Sequence, residues 1–411
     1  MVPVPPSATP NTNRSRPVGP APVPGIAIVA GSGGNSLDGY ARELRERLGA
    51  RAIFAPGSTG SFGHRFLSSE SLRRARADLA VVRRLRADRI SALHFTSQHL
   101  ARYGPAAGAG YVVTVHDLIR LNDWYERGRA DPLIHRPNLR DALHLRADVA
   151  GIRRAAAVIA VSERTAGELH ARLEIPRERV HVIPEAVDTT RFVPTTPPAG
   201  YGQYVLFVGS EQPRKNLPTL IRAVAKLVRD PQNAALRLVK VGAPGGPEAP
   251  YRRRFLEEVH AAGLGDRLVL TDRVCHEELL SWYSGAQCLV LPSLAEGFGL
   301  PVLEAMACGC PTVVPDDSAQ ADVGGAATAR YFPATDADAL ATVIRRLLDG
   351  SGVRDELRRR GFARARELNW ERTVERTRAV YEAVLRAPAA AGSRPRSAKA
   401  LQAAVPRPDQ V

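Results

Sequence analysis

Two carboxylates eight residues apart, Glu296 and Glu304, flank the turn Gly297-Phe298-Gly299 and the start of an apolar segment, Leu300 to Ala307. Pro301 fits the first helical position, where its missing N–H costs nothing and its φ is already helical, so the pattern predicts a helix from about Leu300 through Ala307. Glu304 then lies in the first turn, among Val302, Leu303, Ala305, Met306 and Ala307. A carboxylate in such company needs partners, and ligand hydroxyls can supply them. Glu296 follows the apolar run Cys288 to Leu291, which reads as a buried strand ended by Pro292 and Ser293. Both acids thus belong to one strand-to-helix crossing. In open parallel sheets such crossings at the carboxyl ends of strands are where ligands bind, and Gly297 and Gly299 leave backbone N–H groups uncovered there. The plainer alternative, a loop glutamate capping its own turn beside a salt-bridged helix glutamate, requires the glycines, the proline and both acids to coincide without a common cause.

A second grouping is Tyr204-Val-Leu-Phe-Val-Gly209-Ser-Glu-Gln-Pro-Arg214-Lys215-Asn216, an apolar strand that ends in glycine and enters a basic loop before a helix. Helix N-termini expose unpaired N–H groups, and an Arg-Lys pair adds two full charges, a layout suited to a diphosphate. A solvated basic loop is the competing reading. The third grouping is Tyr111-Val-Val-Thr-Val-His116-Asp117, an apolar strand with a His-Asp pair at its carboxyl end. A histidine ending a buried strand can face a ligand or be hydrogen-bonded to backbone, and spacing alone leaves both open.

At these residues the chain resembles the retaining nucleotide-sugar glycosyltransferases of the "group 1" (family 4) type, which have the GT-B fold of two doubly wound Rossmann-like α/β domains facing across a cleft. The E-x7-E motif of that family matches Glu296 to Glu304 in full. The resemblance implies that Glu296 meets the donor sugar hydroxyls, that Glu304 meets the ribose, and that Gly297, Phe298, Gly299 and Leu300 supply amides. It implies that Gly209, Arg214 and Lys215 hold the donor diphosphate in place of a metal ion. His116 is then the candidate for contacting the sugar's 6-hydroxyl or the reacting face, with Asp117 beside it. The likeness spans about Gly25 to Arg386 and includes Val161-Ser-Glu-Arg-Thr165 and Val182-Ile-Pro-Glu-Ala-Val-Asp188. Two departures stand out. Glu185-Ala186 replaces the family's usual Asn-Gly, and Ala321-Asp322 replaces a Pro-Glu pair. A glycine-rich first loop at Ser32 to Asn35, with Gly33 and Gly34, occupies the place where relatives take phosphate or acceptor.

The elements that must position these groups form two series. The first has strands at Ile26–Ala30, Ala52–Ala55, Ser91–Phe95, Tyr111–Val115, Ala157–Val161 and Val180–Ile183, with a helix from Leu37 through Leu48 after the first strand. The second has strands at Tyr204–Val208, Arg237–Val241, Leu268–Leu270, Cys288–Leu291 and Thr312–Val314. Between them Phe192 to Gly202 carries three prolines and two glycines and marks a hinge. Trp370 to Leu385 reads as an amphipathic helix, which the resemblance sends back to the first domain. The expected organisation is a proline-rich tail (1–24), an acceptor domain (25–195), a donor domain (196–370), the crossing helix (371–387) and a second disordered tail (388–411).

Composition agrees: 411 residues are too many for one ordinary core, and 44% hydrophobic with 24% charged is globular usage. No run approaches a membrane span and no apolar leader opens the chain, so a cytoplasmic location is expected. Cys275, Cys288, Cys308 and Cys310 lack zinc-type spacing and read as small buried residues. No cofactor is expected, and without an aspartate-rich metal signature divalent metal should be dispensable.

The net charge of +15, about a third of it from the two tails, raises the question of a polyanionic partner. Ser71 to Arg89 places seven arginines around Leu72, Ala75, Leu79, Val82 and Leu85, a basic amphipathic helix. It can be a solvated face, a contact for anionic lipid at the inner membrane face, or a nucleic-acid surface; the last lacks aromatic interleaving. The reading as a whole is a metal-independent hexosyltransferase, taking a UDP- or GDP-sugar to a sugar, lipid-linked or small-molecule acceptor, with no nucleic-acid partner. A GT-B epimerase or a non-catalytic nucleotide-sugar-binding relative are the alternatives. Double displacement between two carboxylates is not expected, because Glu296 and Glu304 belong to one ligand face. The resemblance implies front-face attack with retention.

Overall fold

The computed structural model describes residues 25–31, 36–55, 80–85, 90–121, 133–134, 139–244, 249–331 and 333–386. The two tails, the Gly33-Gly34 loop and most of the basic segment 71–89 lie outside the described residues.

The first half contains β1 (Ile26–Ala30), α1 (Ser36–Leu48), β2 (Arg51–Phe54), β3 (Ala92–Phe95), β4 (Gly110–Val115), α2 (Leu139–Arg154), β5 (Ala157–Ala160), α3 (Glu163–Leu173) and β6 (Val180–Val182). The second half begins with β7 (Tyr204–Val208), α4 (Leu217–Leu227), β8 (Arg237–Val241), α5 (Ala249–Ala261) and β9 (Leu268–Thr271). It continues with α6 (His276–Gly285), β10 (Cys288–Val290), α7 (Leu300–Ala307), β11 (Thr312–Pro315), α8 (Ala319–Gly324) and β12 (Thr328–Tyr331). Three helices close the chain: α9 (Ala337–Asp349), α10 (Ser351–Glu367) and α11 (Trp370–Arg386).

The strands form two wholly parallel six-stranded sheets, ordered β2-β1-β3-β4-β5-β6 and β12-β11-β10-β7-β8-β9. Parallel strands need crossover helices, which cover both faces, and this explains the unbroken apolar runs: every residue of β1, β3, β5 and β10 is buried. In each sheet the order reverses beside the first strand of its series, at β1 and β7, and the carboxyl-end crevice there is the place such sheets bind ligands. Helix α11 lies on the first sheet, with Trp370, Val374, Val380, Tyr381 and Val384 in one core with Ile26, Ile28, Tyr40 and Leu44. Beneath it His94 is fully buried between the Tyr381 hydroxyl (2.6 Å) and Thr114 Oγ1 (2.7 Å), and burial holds its pKa down at about 3, so it is neutral.

The chain passes between the halves twice, side by side: the Val187 N–H donates to the Leu368 carbonyl (3.2 Å) and the Thr373 hydroxyl to the Pro184 carbonyl (3.0 Å). Two expectations need correction. The edge strand β12 was not anticipated, and Cys275 is exposed, because it precedes α6 on a surface loop, whereas Cys288, Cys308 and Cys310 are buried.

Candidate active site

The crossing from β10 to α7 starts its helix at Leu300 with Pro301 in the first turn, and Gly299 caps it at φ 101°, a left-handed torsion that glycine adopts without strain. Glu304 is the fifth residue of α7 and so lies just past its first turn rather than in it, and its Oε2 accepts from the Tyr283 hydroxyl of α6 (2.8 Å). Burial raises the Glu304 carboxyl to about 6; the tyrosine bond opposes this and the nearby Glu185 charge adds to it.

Glu296 is joined to the second grouping. Its Oε1 lies 2.7 Å from Arg214 Nη1 and 2.5 Å from Lys215 Nζ. Burial by itself would push this carboxyl up; the Arg214 and Lys215 charges and hydrogen bonds prevail and hold it at about 2. Among the described residues the cluster therefore sets two positive groups against one carboxylate. The basic loop owes its shape to Asn216, whose left-handed backbone (φ 53°) ends the turn Pro213–Lys215 and starts α4. Its side-chain amide donates to the Pro292 (3.0 Å) and Ala334 (2.9 Å) carbonyls and so ties this loop to the end of β10. Gly209 adopts φ 150°, and its own N–H donates to the Val241 carbonyl (2.9 Å).

His116 directly follows β4 in the first domain and meets the glycine turn of the second. A Cβ on Gly297 would stand 1.6 Å from the His116 carbonyl oxygen, and one on Gly299 would stand 2.5 Å from Gln320 Cγ. Here the structure supplies a reason for both glycines beyond uncovered amides: the first makes room for the opposite domain, the second for a buried side chain. The His116 ring is engaged at both nitrogens, Nδ1 with Glu185 Oε1 at 2.5 Å and Nε2 with the Thr96 carbonyl at 2.9 Å. A carbonyl only accepts, so Nε2 carries hydrogen. Burial lowers the His116 pKa, but the Glu185 bond and charge, the Thr96 carbonyl and Asp117 outweigh it and raise it above the ordinary value, favouring imidazolium against carboxylate. Asp117 accepts from the Ile119 N–H (3.0 Å), a local turn bond.

The structure therefore brings Arg214, Lys215 and Glu296 into one cluster, stations Glu304 one helical turn into α7, and sets His116 against Gly297. Gly33 and Gly34 lie outside the described residues. Sequence reasoning gave no chemistry to Glu185, although its departure from Asn-Gly was the signal. It also passed over Tyr283, and over Gln320, which is fully buried beside Gly299 with both amide atoms unpartnered among the described residues. Glu211 was read as part of a basic loop; instead it is buried with Lys240 (2.5 Å) and Arg252 (2.6 Å) across the ends of β7 and β8. A groove of about 560 Å³ lies on the first domain, lined by Leu121, Leu145, Val149, Leu173, Arg146 and Arg153, and shares no residue with the carboxylate cluster.

Two facing doubly wound domains with strand ends meeting at a cleft define the GT-B architecture. Sucrose-phosphate synthase from Thermosynechococcus elongatus superposes with a TM-score of 0.70 at 22% identity, over 87% of this chain and 98% of that one. Anabaena HepE, solved with UDP-glucose, gives 0.69 at 16% identity, over 87% and 99%. Residues 34–191 match the Glycosyltransferase Family 4 model and residues 193–365 the model for Glycosyl transferases group 1. The chain belongs to this glycosyltransferase family. Relatives include a D-inositol 3-phosphate glycosyltransferase of Nocardia farcinica, 32% identical over 257 residues (56% of this chain, 54% of the relative). Another is an MMP alpha-(1->4)-mannosyltransferase of Mycolicibacterium hassiacum, 32% identical over 228 residues (55% and 53%). The chain spans about half the length of the curated relatives it matches.

Proposed function

We propose that this protein transfers a hexosyl group from a nucleotide-diphosphate sugar to a sugar, lipid-linked or small-molecule hydroxyl, with retention of configuration and without a metal ion. The observation that carries the reading is Glu296, held ionised between Arg214 and Lys215 at the carboxyl ends of β10 and β7. An ionised carboxylate accepts hydrogen bonds from sugar hydroxyls, and the guanidinium and ammonium groups beside it are donors suited to a diphosphate. The leaving diphosphate is then stabilised electrostatically by Arg214, Lys215 and the first turn of α4, positioned rather than attacked by the protein. Glu304 takes the ribose hydroxyls when ionised, and closure of the domains excludes water. The names of relatives and of the HepE complex with UDP-glucose support the same reading: a UDP-sugar is among the donors to try first, mannosyl among the groups transferred and inositol phosphate among the acceptors.

The test is a panel of UDP-, GDP- and ADP-sugars with EDTA present, reading thermal shift and nucleotide release. One donor should raise the melting temperature and release nucleotide slowly, and Glu304→Gln should weaken both. Silence from every donor with the fold intact would favour a non-catalytic binding relative, and activity that appears only on adding divalent metal would remove the metal-free part.

We also propose that the basic segment 71–89 contacts anionic lipid. Residues 80–85, the part described, are helical with Val81 and Leu85 buried and Arg83 and Arg84 exposed. The protein should float with anionic vesicles and lose about 1 kcal/mol of binding per arginine reversed. Flotation unchanged after reversing Arg73, Arg76 and Arg83 would sink the idea. Among the described residues no helix is long and apolar enough to cross a membrane.

A further inference from the structure

The segment Val161-Ser-Glu-Arg-Thr165 resembles the family without having been given any chemistry, and its two hydroxyls sit on the donor turn of the opposite domain. Ser162 Oγ donates to the Gly297 carbonyl at 2.6 Å. The same oxygen accepts from the Thr165 N–H at 3.1 Å, which makes Ser162 the N-cap of α3. Thr165 Oγ1 lies 3.3 Å from the Gly297 carbonyl and 3.4 Å from the His116 carbonyl, so its single proton can serve either. Ser162 is 4% exposed and Thr165 2%.

We propose that Ser162 and Thr165 are positioning residues, a hydroxyl latch that fixes the turn between Glu296 and Glu304 against the end of β4 when the domains close. The inference rests on the function proposed above. Three features carry it. The hydroxyls belong to the first domain and the Gly297 carbonyl to the second, so the bonds exist only in the closed arrangement. All partners are buried, so opening without solvation, or closing without the hydroxyls, leaves a carbonyl unpaired in a dry interface, which is costly. The neighbouring ion pair, Arg164 with Asp317 at 2.5 Å, cannot substitute: its side chains are 38% and 71% exposed, and such pairs contribute little.

The latch acts on the residue directly after Glu296, and Ser162 is itself pre-oriented by capping α3. Docking of the first domain therefore decides whether the Glu296 carboxylate and the glycine-turn amides are correctly placed on the donor. With the hydroxyls removed, a closed complex forms with the turn displaced, or forms less often. A displacement near 1 Å costs a reaction of this kind on the order of a hundredfold, so turnover should fall while each domain stays folded.

The test uses the full chain with Thr165→Val, Ser162→Gly, the two combined, and Thr165→Ser. Glycine is chosen at 162 because it retains most of the capping stability that alanine loses. The double variant should transfer with kcat lowered roughly tenfold to a hundredfold, donor KM changed much less, and a larger share of donor lost to hydrolysis. Thr165→Ser should behave as wild type. A second readout needs no turnover: a distance measurement between labels on the exposed native Cys275 and on Leu143→Cys, which is 52% exposed in the first domain. Wild type should show one narrow distance distribution with donor bound, and the double variant a shifted or broader one. Unchanged distances, or unchanged kcat and hydrolysis ratio in an active enzyme, would overturn the latch. If wild type turns over no donor yet the distances separate as expected, the latch stands and the proposed reaction fails.

Discussion

Gly297→Ala should lower transfer at least about a hundredfold while both sheets remain folded. The added carbon would stand 1.6 Å from the His116 carbonyl oxygen, far inside any real contact, and 3.0 Å from Asp117 Cβ. Gly297 does not have a left-handed backbone, so alanine is locally unstrained there, and the sole obstacle is the opposite domain. Backbone on both sides cannot swing away as a side chain can. The domains must separate at this point, taking the Gly297 carbonyl from Ser162 and moving Glu296 relative to His116. Neither hydrophobic core is entered, so the melting temperature should change little. Gly39→Ala is the matched control: its Cβ would meet nothing within 4 Å, it lies inside α1, and it should stabilise slightly, by about 0.4–1 kcal/mol. Steady-state kinetics with a thermal melt decide the matter, and a Gly297→Ala enzyme of wild-type kcat would show that this closed contact is not the reacting state.

That contact also shows where sequence reading stops. The crossing from β10 to α7 was legible because its signals are local: a strand of apolar residues, prolines at 292 and 301, and a glycine at the cap. β7 and β8 were bounded correctly for the same reason, as apolar runs closed by glycine. β12 escaped because it is a four-residue edge strand of mixed polarity, Thr-Ala-Arg-Tyr, with an exposed arginine and no period to read. The chemical types at the candidate site were visible; their partners were not. Lys215 reaches Glu296 across 81 residues, His116 reaches Glu185 across 69, and Ser162 reaches Gly297 across 135. Nothing in a 2- or 3.6-residue period encodes such meetings, which depend on the order of strands in each sheet and on how the two sheets face. The same limit explains His116. Its place at the end of a buried strand was readable, but whether its ring faced a ligand or the protein depended on Glu185, a residue whose only sequence signal was a departure from Asn-Gly.

Glu185→Leu should destabilise the protein by about 1–3 kcal/mol near pH 6, the cost of leaving a buried hydrogen-bonding group unpaired. An imidazolium left alone in this setting would cost more, about 3–5 kcal/mol. The lower range is expected because the ring can shed its proton, as the buried neutral His94 does in the same sheet. Glu185→Gln separates charge from hydrogen bonding: its amide can donate to Nδ1 of a neutral His116 while Nε2–H still serves Thr96. The folded pKa of His116 lies above its unfolded value near 6.5. The charge contribution is therefore complete below about pH 6.5 and disappears as pH rises through the folded value. The gap in melting temperature between wild type and Glu185→Gln should accordingly be widest near pH 6 and narrow toward alkaline pH; a gap that is flat with pH would mean a neutral pair. Glu185 also raises the Glu304 carboxyl, which stands at about 6. If Glu304 takes the donor ribose as proposed, its ionised form accepts best, so activity should rise through pH 6 in wild type, and that acidic limb should move to lower pH in Glu185→Gln. A limb that stays in place would detach Glu304 from the pH dependence and leave its ionisation without a part in donor binding.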